Sequence, residues 1–126
     1  MTFFEGIYTP AITPLAADGS IDKAAFAEVL EYLIDAKVHG IIVAATTGEY
    51  YAHTAEERYD LAKYAKDVIG SRTSLMVGTG AIRTEDSVEY AKVAKEIKAD
   101  SILVTIPPYA LPTEKEVAAH ALTIDK

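Results

Sequence analysis

The sequence predicts an α/β protein built on a parallel sheet, and three observations carry that prediction. Four short apolar runs alternate with four amphipathic stretches, the runs beginning near residues 7, 41, 74 and 101. A spacing of roughly thirty residues is the size of a strand plus its crossover helix. The runs are apolar throughout instead of alternating with polar residues, as in parallel strands covered on both faces.

The elements follow in order. The first run is Gly6–Thr13 (GIYTPAIT), and Asp18–Gly19 marks the turn behind it. Asp22 then caps a helix in which Phe26, Val29, Leu30, Leu33 and Ile34 recur on one face, and Gly40 closes the unit. The second run, Ile41–Ala45, leads into Thr46–Thr47–Gly48–Glu49. Thr54 and Glu57 form a capping box that opens a second helix. That helix turns Leu61, Ala65, Val68 and Ile69 inward and stops at Gly70. The third run, Ser74–Gly78, continues into Thr79–Gly80 and a helix from about Thr84 to Lys98. The fourth, Ser101–Ile106, ends at Pro107–Pro108. A second capping box, Thr113 with Glu116, starts a fourth helix still in progress at Lys126.

Strict alternation leaves two architectures open, a doubly wound open sheet and a (β/α)8 barrel. A chain of 126 residues is long enough for the first. However, Thr13–Pro14–Leu15–Ala16 is no glycine-rich phosphate loop, and Arg83 stands where Gly78–Thr79–Gly80 would need a third glycine. A barrel takes about 200 residues or more. On that reading residues 1–126 are the first half, ending within helix four.

Composition narrows the function. A net charge of −7 with singly scattered Lys and Arg disfavours a nucleic-acid surface. Without cysteine there are no disulfides and no thiolate metal site, and no pair of histidines has metal-ligand spacing. His120 reads as a helix-surface residue. The opening MTFFEGIYTP lacks a basic region and a long apolar core, and no run approaches a membrane span. A cytoplasmic protein without a membrane partner is expected.

Strand carboxyl ends share one face in such folds, and that face carries the chemistry. Here it gathers Thr13, Thr46–Thr47–Gly48–Glu49, Thr79–Gly80, Thr105 and Tyr109. Thr46, Thr47 and Gly48 can aim successive amides at one point, a concavity suited to a carboxylate or phosphate. The same residues also read as turn chemistry before a helix, hydroxyls bonding nearby backbone. Tyr109 follows a Pro-Pro stop that aims its ring from a stiff base, for proton relay or for packing at a rim. Tyr50 and Tyr51 could line the mouth of a pocket or pack against a partner subunit, and packing is the favoured reading.

In that order and spacing, GIYTPAITPL, ATTGEYY, VGTGA and VTIPPYALPTE resemble the dihydrodipicolinate synthase / N-acetylneuraminate lyase family over essentially the whole chain. The resemblance implies a (β/α)8 barrel, of which these are about the first four units. It also implies class I aldolase chemistry, in which a lysine on strand six forms a Schiff base with pyruvate or another 2-keto acid. No metal or organic cofactor is implied, and a homo-oligomer, dimer or tetramer, is expected. Carried over by position, the amides of Thr46 and Thr47 would hold the substrate carboxylate, with Gly48 in the same turn. The Thr46 hydroxyl would join a proton relay, Glu49 would tie the turn down, and Tyr109 matches the first of two tyrosines usual after strand four. Two departures stand out. Ala45 replaces the glycine before Thr-Thr, adding a methyl where backbone approaches closely. Ala110 replaces the second tyrosine, which favours a sugar-acid dehydratase or a 2-keto-acid aldolase over dihydrodipicolinate synthase itself.

A Schiff-base lysine must be neutral to attack, which requires burial or a cationic neighbour. Every lysine here, from Lys23 to Lys126, falls on or beside a helix and none in a strand. No nucleophile is therefore expected in this chain, which alone should be inactive. The alternative is a non-catalytic half-barrel that self-associates or docks with a separate second half.

Overall fold

The computed structural model describes residues 4–126; Met1–Phe3, part of the stretch weighed as a secretory leader, lie outside the described residues. Strands β1 (Tyr8–Pro10), β2 (Gly40–Val43), β3 (Ser74–Gly78) and β4 (Ser101–Leu103) form one sheet in that order, each neighbouring pair parallel. Helices α1 (Lys23–Asp35), α2 (Ala55–Ile69), α3 (Thr84–Glu96) and α4 (Glu114–Ile124) follow the strands in turn, and two 3-10 turns, Thr46–Gly48 and Tyr50–Ala52, precede α2.

Strand order decides between the two architectures. A doubly wound sheet reverses direction at a switch point, whereas here every crossover steps to the next strand on the same side. The four helices consequently form one layer, α1 on α2, α2 on α3 and α3 on α4. Ile41, Val43, Leu75 and Val77 point into that layer, where they meet the buried Phe26, Leu30, Leu61, Ala65 and Ile69. Val29, Leu33, Ile34 and Val68 complete the same faces, partly buried. Ile42 and Met76, paired in register between these, face the other side and are only half-buried.

The local start signals match the structure. Asp22 accepts from the Ala25 amide (2.9 Å), and both capping boxes, Thr54 with Glu57 and Thr113 with Glu116, are fully formed. The stops differ. Gly40 does not close the first unit; Lys37, in left-handed backbone at φ 57°, does, and Lys98 at φ 56° closes α3 in the same way. Gly40 is instead a packing glycine, since a Cβ there would run into the ring of Tyr8.

Two strands are shorter than the apolar runs that contain them. Pro10 ends the β1 pairing, although the Ala11 amide still reaches the Ile42 carbonyl (2.9 Å). In β4 the Leu103 carbonyl is already taken by both the amide and the hydroxyl of Thr79 (3.0 and 3.2 Å), and the ladder stops there. His120 is not on the helix surface. It is buried between α3 and α4 because partners await both ring nitrogens, the Thr84 hydroxyl at Nδ1 (2.9 Å) and the Thr105 carbonyl at Nε2 (3.2 Å). A carbonyl only accepts, so Nε2 carries a proton and donates to it.

Candidate active site

The carboxyl ends of β1, β2 and β3 converge on one corner. After Val43 the chain turns sharply: Ala44 adopts left-handed backbone (φ 53°), and Ala45 returns to extended backbone (φ −102°). The Ala45 carbonyl then accepts from the amides of Gly48 (3.0 Å) and Tyr50 (3.4 Å), and the Thr46 carbonyl accepts from Glu49 (3.0 Å). The amides of Thr46 and Thr47 donate to no backbone carbonyl among the described residues, and both threonines are exposed. Two adjacent N–H groups are thus free for an acceptor from outside.

The corner is braced on both flanks. On the β1 side the Thr13 hydroxyl donates to the Gly48 carbonyl (2.9 Å). Gly48 is buried so tightly that a Cβ would sit 3.0 Å from both the Ala11 carbonyl oxygen and Thr13 Oγ1. On the β3 side a Cβ at Gly78 would collide with the Ala44 carbonyl, coming within 2.7 Å of its carbon. Beyond it, Gly80 faces Thr105 Oγ1 and the hydroxyl end of Tyr50, which a Cβ would approach to 2.6 and 3.2 Å.

Beneath these turns lies Arg58, on α2 and only 5% exposed. Its guanidinium donates to the carbonyls of Gly80 (2.9 Å) and Gly78 (3.1 Å) and lies over the rings of Tyr90 (3.6 Å) and Tyr50 (4.9 Å). Burial pushes its pKa below the ordinary arginine value, and the neighbouring tyrosine oxygens pull it partly back. It remains a cation at neutral pH.

A model of the dihydrodipicolinate synthetase family matches residues 3–125. The chain belongs to this family. The family is one of aldolase-type lyases. Among its relatives, the 4-hydroxy-tetrahydrodipicolinate synthase of Salinibacter ruber is 36% identical over 121 residues, covering 96% of this chain and 40% of the relative. Dihydrodipicolinate synthase from Aquifex aeolicus superposes with a TM-score of 0.91 at 32% identity, over 96% of this chain and 41% of that one. YagE, a prophage protein of the dihydrodipicolinic acid synthase family from E. coli K12 solved in complex with pyruvate, gives a TM-score of 0.92 at 31% identity, over 98% and 41%. The chain spans about 40% of the length of the curated relatives it matches. Its four-stranded sheet is accordingly half of a (β/α)8 barrel.

Within this dihydrodipicolinate synthetase-family chain, Thr46, Thr47 and Gly48 make up one 3-10 turn. Ala45, the departure before Thr-Thr, is accommodated without strain, and the unusual backbone falls on Ala44 instead. Glu49 does not tie the turn through its carboxylate: it is exposed, contributes left-handed backbone (φ 55°), and its side chain has no hydrogen bond among the described residues. Tyr109 is not brought to the corner. It lies fully exposed in left-handed backbone (φ 71°) on the β4–α4 loop, so the Pro-Pro stop stiffens the chain without turning the ring inward. Tyr50 packs, buried and edge-on to Tyr51, while Tyr51 is exposed. None of the lysines lies on a strand, and only Lys66 is half-buried. Sequence reasoning missed Arg58, although one signal was present. Positions 58, 61, 62, 65 and 69 form a single buried stripe, and an arginine on an apolar stripe is an anomaly that asks for partners.

Proposed function

We propose that this chain is the N-terminal, carboxylate-binding half of a Schiff-base-forming lyase or dehydratase for pyruvate or another 2-keto acid. One observation carries the reading: the free, adjacent amides of Thr46 and Thr47 sit at the strand ends, where this family's fold does its chemistry. A carboxylate there would accept two charge-assisted bonds from fixed backbone donors. The pyruvate complex of YagE supports a small keto acid as the ligand class. In the complete enzyme a lysine amine condenses with the keto carbon, losing water. In C–C cleavage the protonated imine nitrogen takes up the electron pair of the bond that breaks, leaving an enamine. In dehydration it takes up the pair of a C–H bond deprotonated beside it, and the enamine then expels the hydroxyl, which leaves with its own pair and a proton as water. The Thr46 hydroxyl relays a proton at that step, with Tyr109 as a second member once its loop is folded against the barrel mouth. Ala110 after Tyr109 favours a sugar-acid dehydratase or 2-keto-acid aldolase over dihydrodipicolinate synthase. The working form is a cytoplasmic homo-oligomer that uses no metal or organic cofactor.

Borohydride trapping in the presence of pyruvate tests the division of labour. This chain gives no adduct by intact mass, and a longer chain carrying a sixth strand with its lysine gains one reduced pyruvate. An adduct on residues 1–126 overturns the assignment.

A non-catalytic, self-associating half-barrel is favoured by the two end strands. The free edges of β1 and β4 run in the same direction, and a groove of about 520 Å³ beside β1 is lined by Pro10, Ile12, Tyr32 and Leu33. Light scattering on the purified chain separates the readings, a discrete dimer supporting this one and a monomer or aggregate opposing it.

A further inference from the structure

We infer that Arg58 is a positioning residue: it sets the backbone geometry of the Thr46–Thr47 corner and, through that geometry, the corner's affinity for a carboxylate. Only the second half of this statement rests on the proposed function.

Residue 58 lies on the apolar stripe of α2 with Leu61, Ala62, Ala65 and Ile69. An aliphatic side chain would suit that place, and replacing buried ions by apolar residues of similar volume is often neutral or stabilising. Core packing therefore gives no reason for a cation here. What a guanidinium adds is direction. Its planar fork fixes two acceptors at once, and here they are the carbonyls on either side of Thr79, Gly78 at 3.1 Å and Gly80 at 2.9 Å. The fit is bought at the expense of Nε, which is buried with no partner among the described residues. The side chain is thus oriented for those two carbonyls and not for its own full satisfaction.

Two contacts carry this geometry to the corner. Gly78 presses on the Ala44 carbonyl, so closely that no Cβ fits between them. Ala44 is the left-handed residue that starts the turn toward Thr46. On the other flank Tyr50, whose amide bonds the Ala45 carbonyl, lies with its ring 4.9 Å from the guanidinium carbon. Displacing the fork moves both supports of the two free amides. Tyr90, on α3, is the platform that holds the fork in place at 3.6 Å.

Amide NMR of the 15N-labelled chain tests the inference, with Arg58→Lys, Tyr90→Ala and, as control, Ile69→Val, which loosens the core at the far end of α2. Lysine keeps the charge but cannot form the fork. Without ligand, Arg58→Lys displaces the Thr46, Thr47, Gly78 and Gly80 amide resonances, and Ile69→Val leaves them in place. In pyruvate titrations Arg58→Lys weakens the response at Thr46 and Thr47 about tenfold, as loss of charged hydrogen bonds predicts. Tyr90→Ala, which leaves Arg58 present but unsupported, weakens it about threefold. Unmoved Thr46 and Thr47 resonances in Arg58→Lys, or in Tyr90→Ala should the lysine variant not fold, overturn the positioning role. Wild-type amides that ignore pyruvate, while the ligand-free shifts occur as expected, overturn the carboxylate reading and leave Arg58 as a purely geometric support.

Discussion

Replacing Gly78 by alanine probes how tightly the third strand is pressed onto the corner that follows the second. The new methyl would lie 2.7 Å from the Ala44 carbonyl carbon and 3.1 Å from the Ala45 nitrogen, where ordinary contact begins at 3.4 Å. The obstructing atoms are backbone, so no side chain can swing aside, and β3 or the corner must shift. Overpacking of this kind costs about 1–3 kcal/mol. Moving the Gly78 carbonyl also disturbs its 3.1 Å bond from Arg58, a charged interaction worth about 1.5–3 kcal/mol. The combined loss of roughly 2.5–6 kcal/mol is a large part of the 5–15 kcal/mol typical of a domain. It corresponds to a fall in Tm on the order of 10 °C or more. Thermal unfolding followed by circular dichroism measures it, with Gly70→Ala as reference. Gly70 has open space around its Cβ position but backbone (φ 58°, ψ −118°) outside the left-handed helical well, so its alanine variant carries backbone strain of about 1–3 kcal/mol without a collision. If Gly78→Ala is no more destabilising than Gly70→Ala, the close approach of β3 to Ala44 is not what holds the corner.

Three further outcomes follow from the same geometry. Lys37→Gly and Lys98→Gly, at the left-handed closures of α1 and α3, should each stabilise the fold by about 0.5–1 kcal/mol in urea unfolding; a loss at both sites would refute the closure assignment. His120→Ala removes the partner of the Thr84 hydroxyl and the Thr105 carbonyl and should cost about 2–3 kcal/mol; a urea midpoint unchanged from wild type refutes that role. Capping-box bonds from Thr54 and Thr113 hold the Glu57 and Glu116 carboxylates below the usual 4.5. Their contribution is therefore complete above that value and disappears as the pH falls through the lowered pKa values. A Glu57→Gln, Glu116→Gln double variant should show a shallower acid-side decline in Tm than wild type, and parallel curves would contradict it.

What the sequence made legible was local. Asp22, Thr54 with Glu57 and Thr113 with Glu116 announce helix starts because both partners lie within three residues of each other. The apolar runs announce strands, and the Thr46–Thr47–Gly48 turn announces its own amides. Helix stops were less legible, since lysines at 37 and 98 take a conformation that glycine usually marks. Arg58 and His120 escaped because their acceptors include backbone carbonyls 20, 22 and 15 residues away, and a carbonyl leaves no mark on residue identity. Tyr109 shows the converse limit: two prolines restrict the chain before it, but the direction of a loop depends on what it packs against.

In this sheet, position along the chain and position in space coincide, and that bears on how it is made. Each parallel pairing joins segments that leave the ribosome about 2–7 seconds apart, at roughly 5–20 residues per second. No later strand has to wedge between two already joined, as happens when a topology doubles back. Assembly can advance from one side only, every docked hairpin-sized unit offering a ready template to the next, so early intermediates are shorter versions of the same object and not rearranged ones.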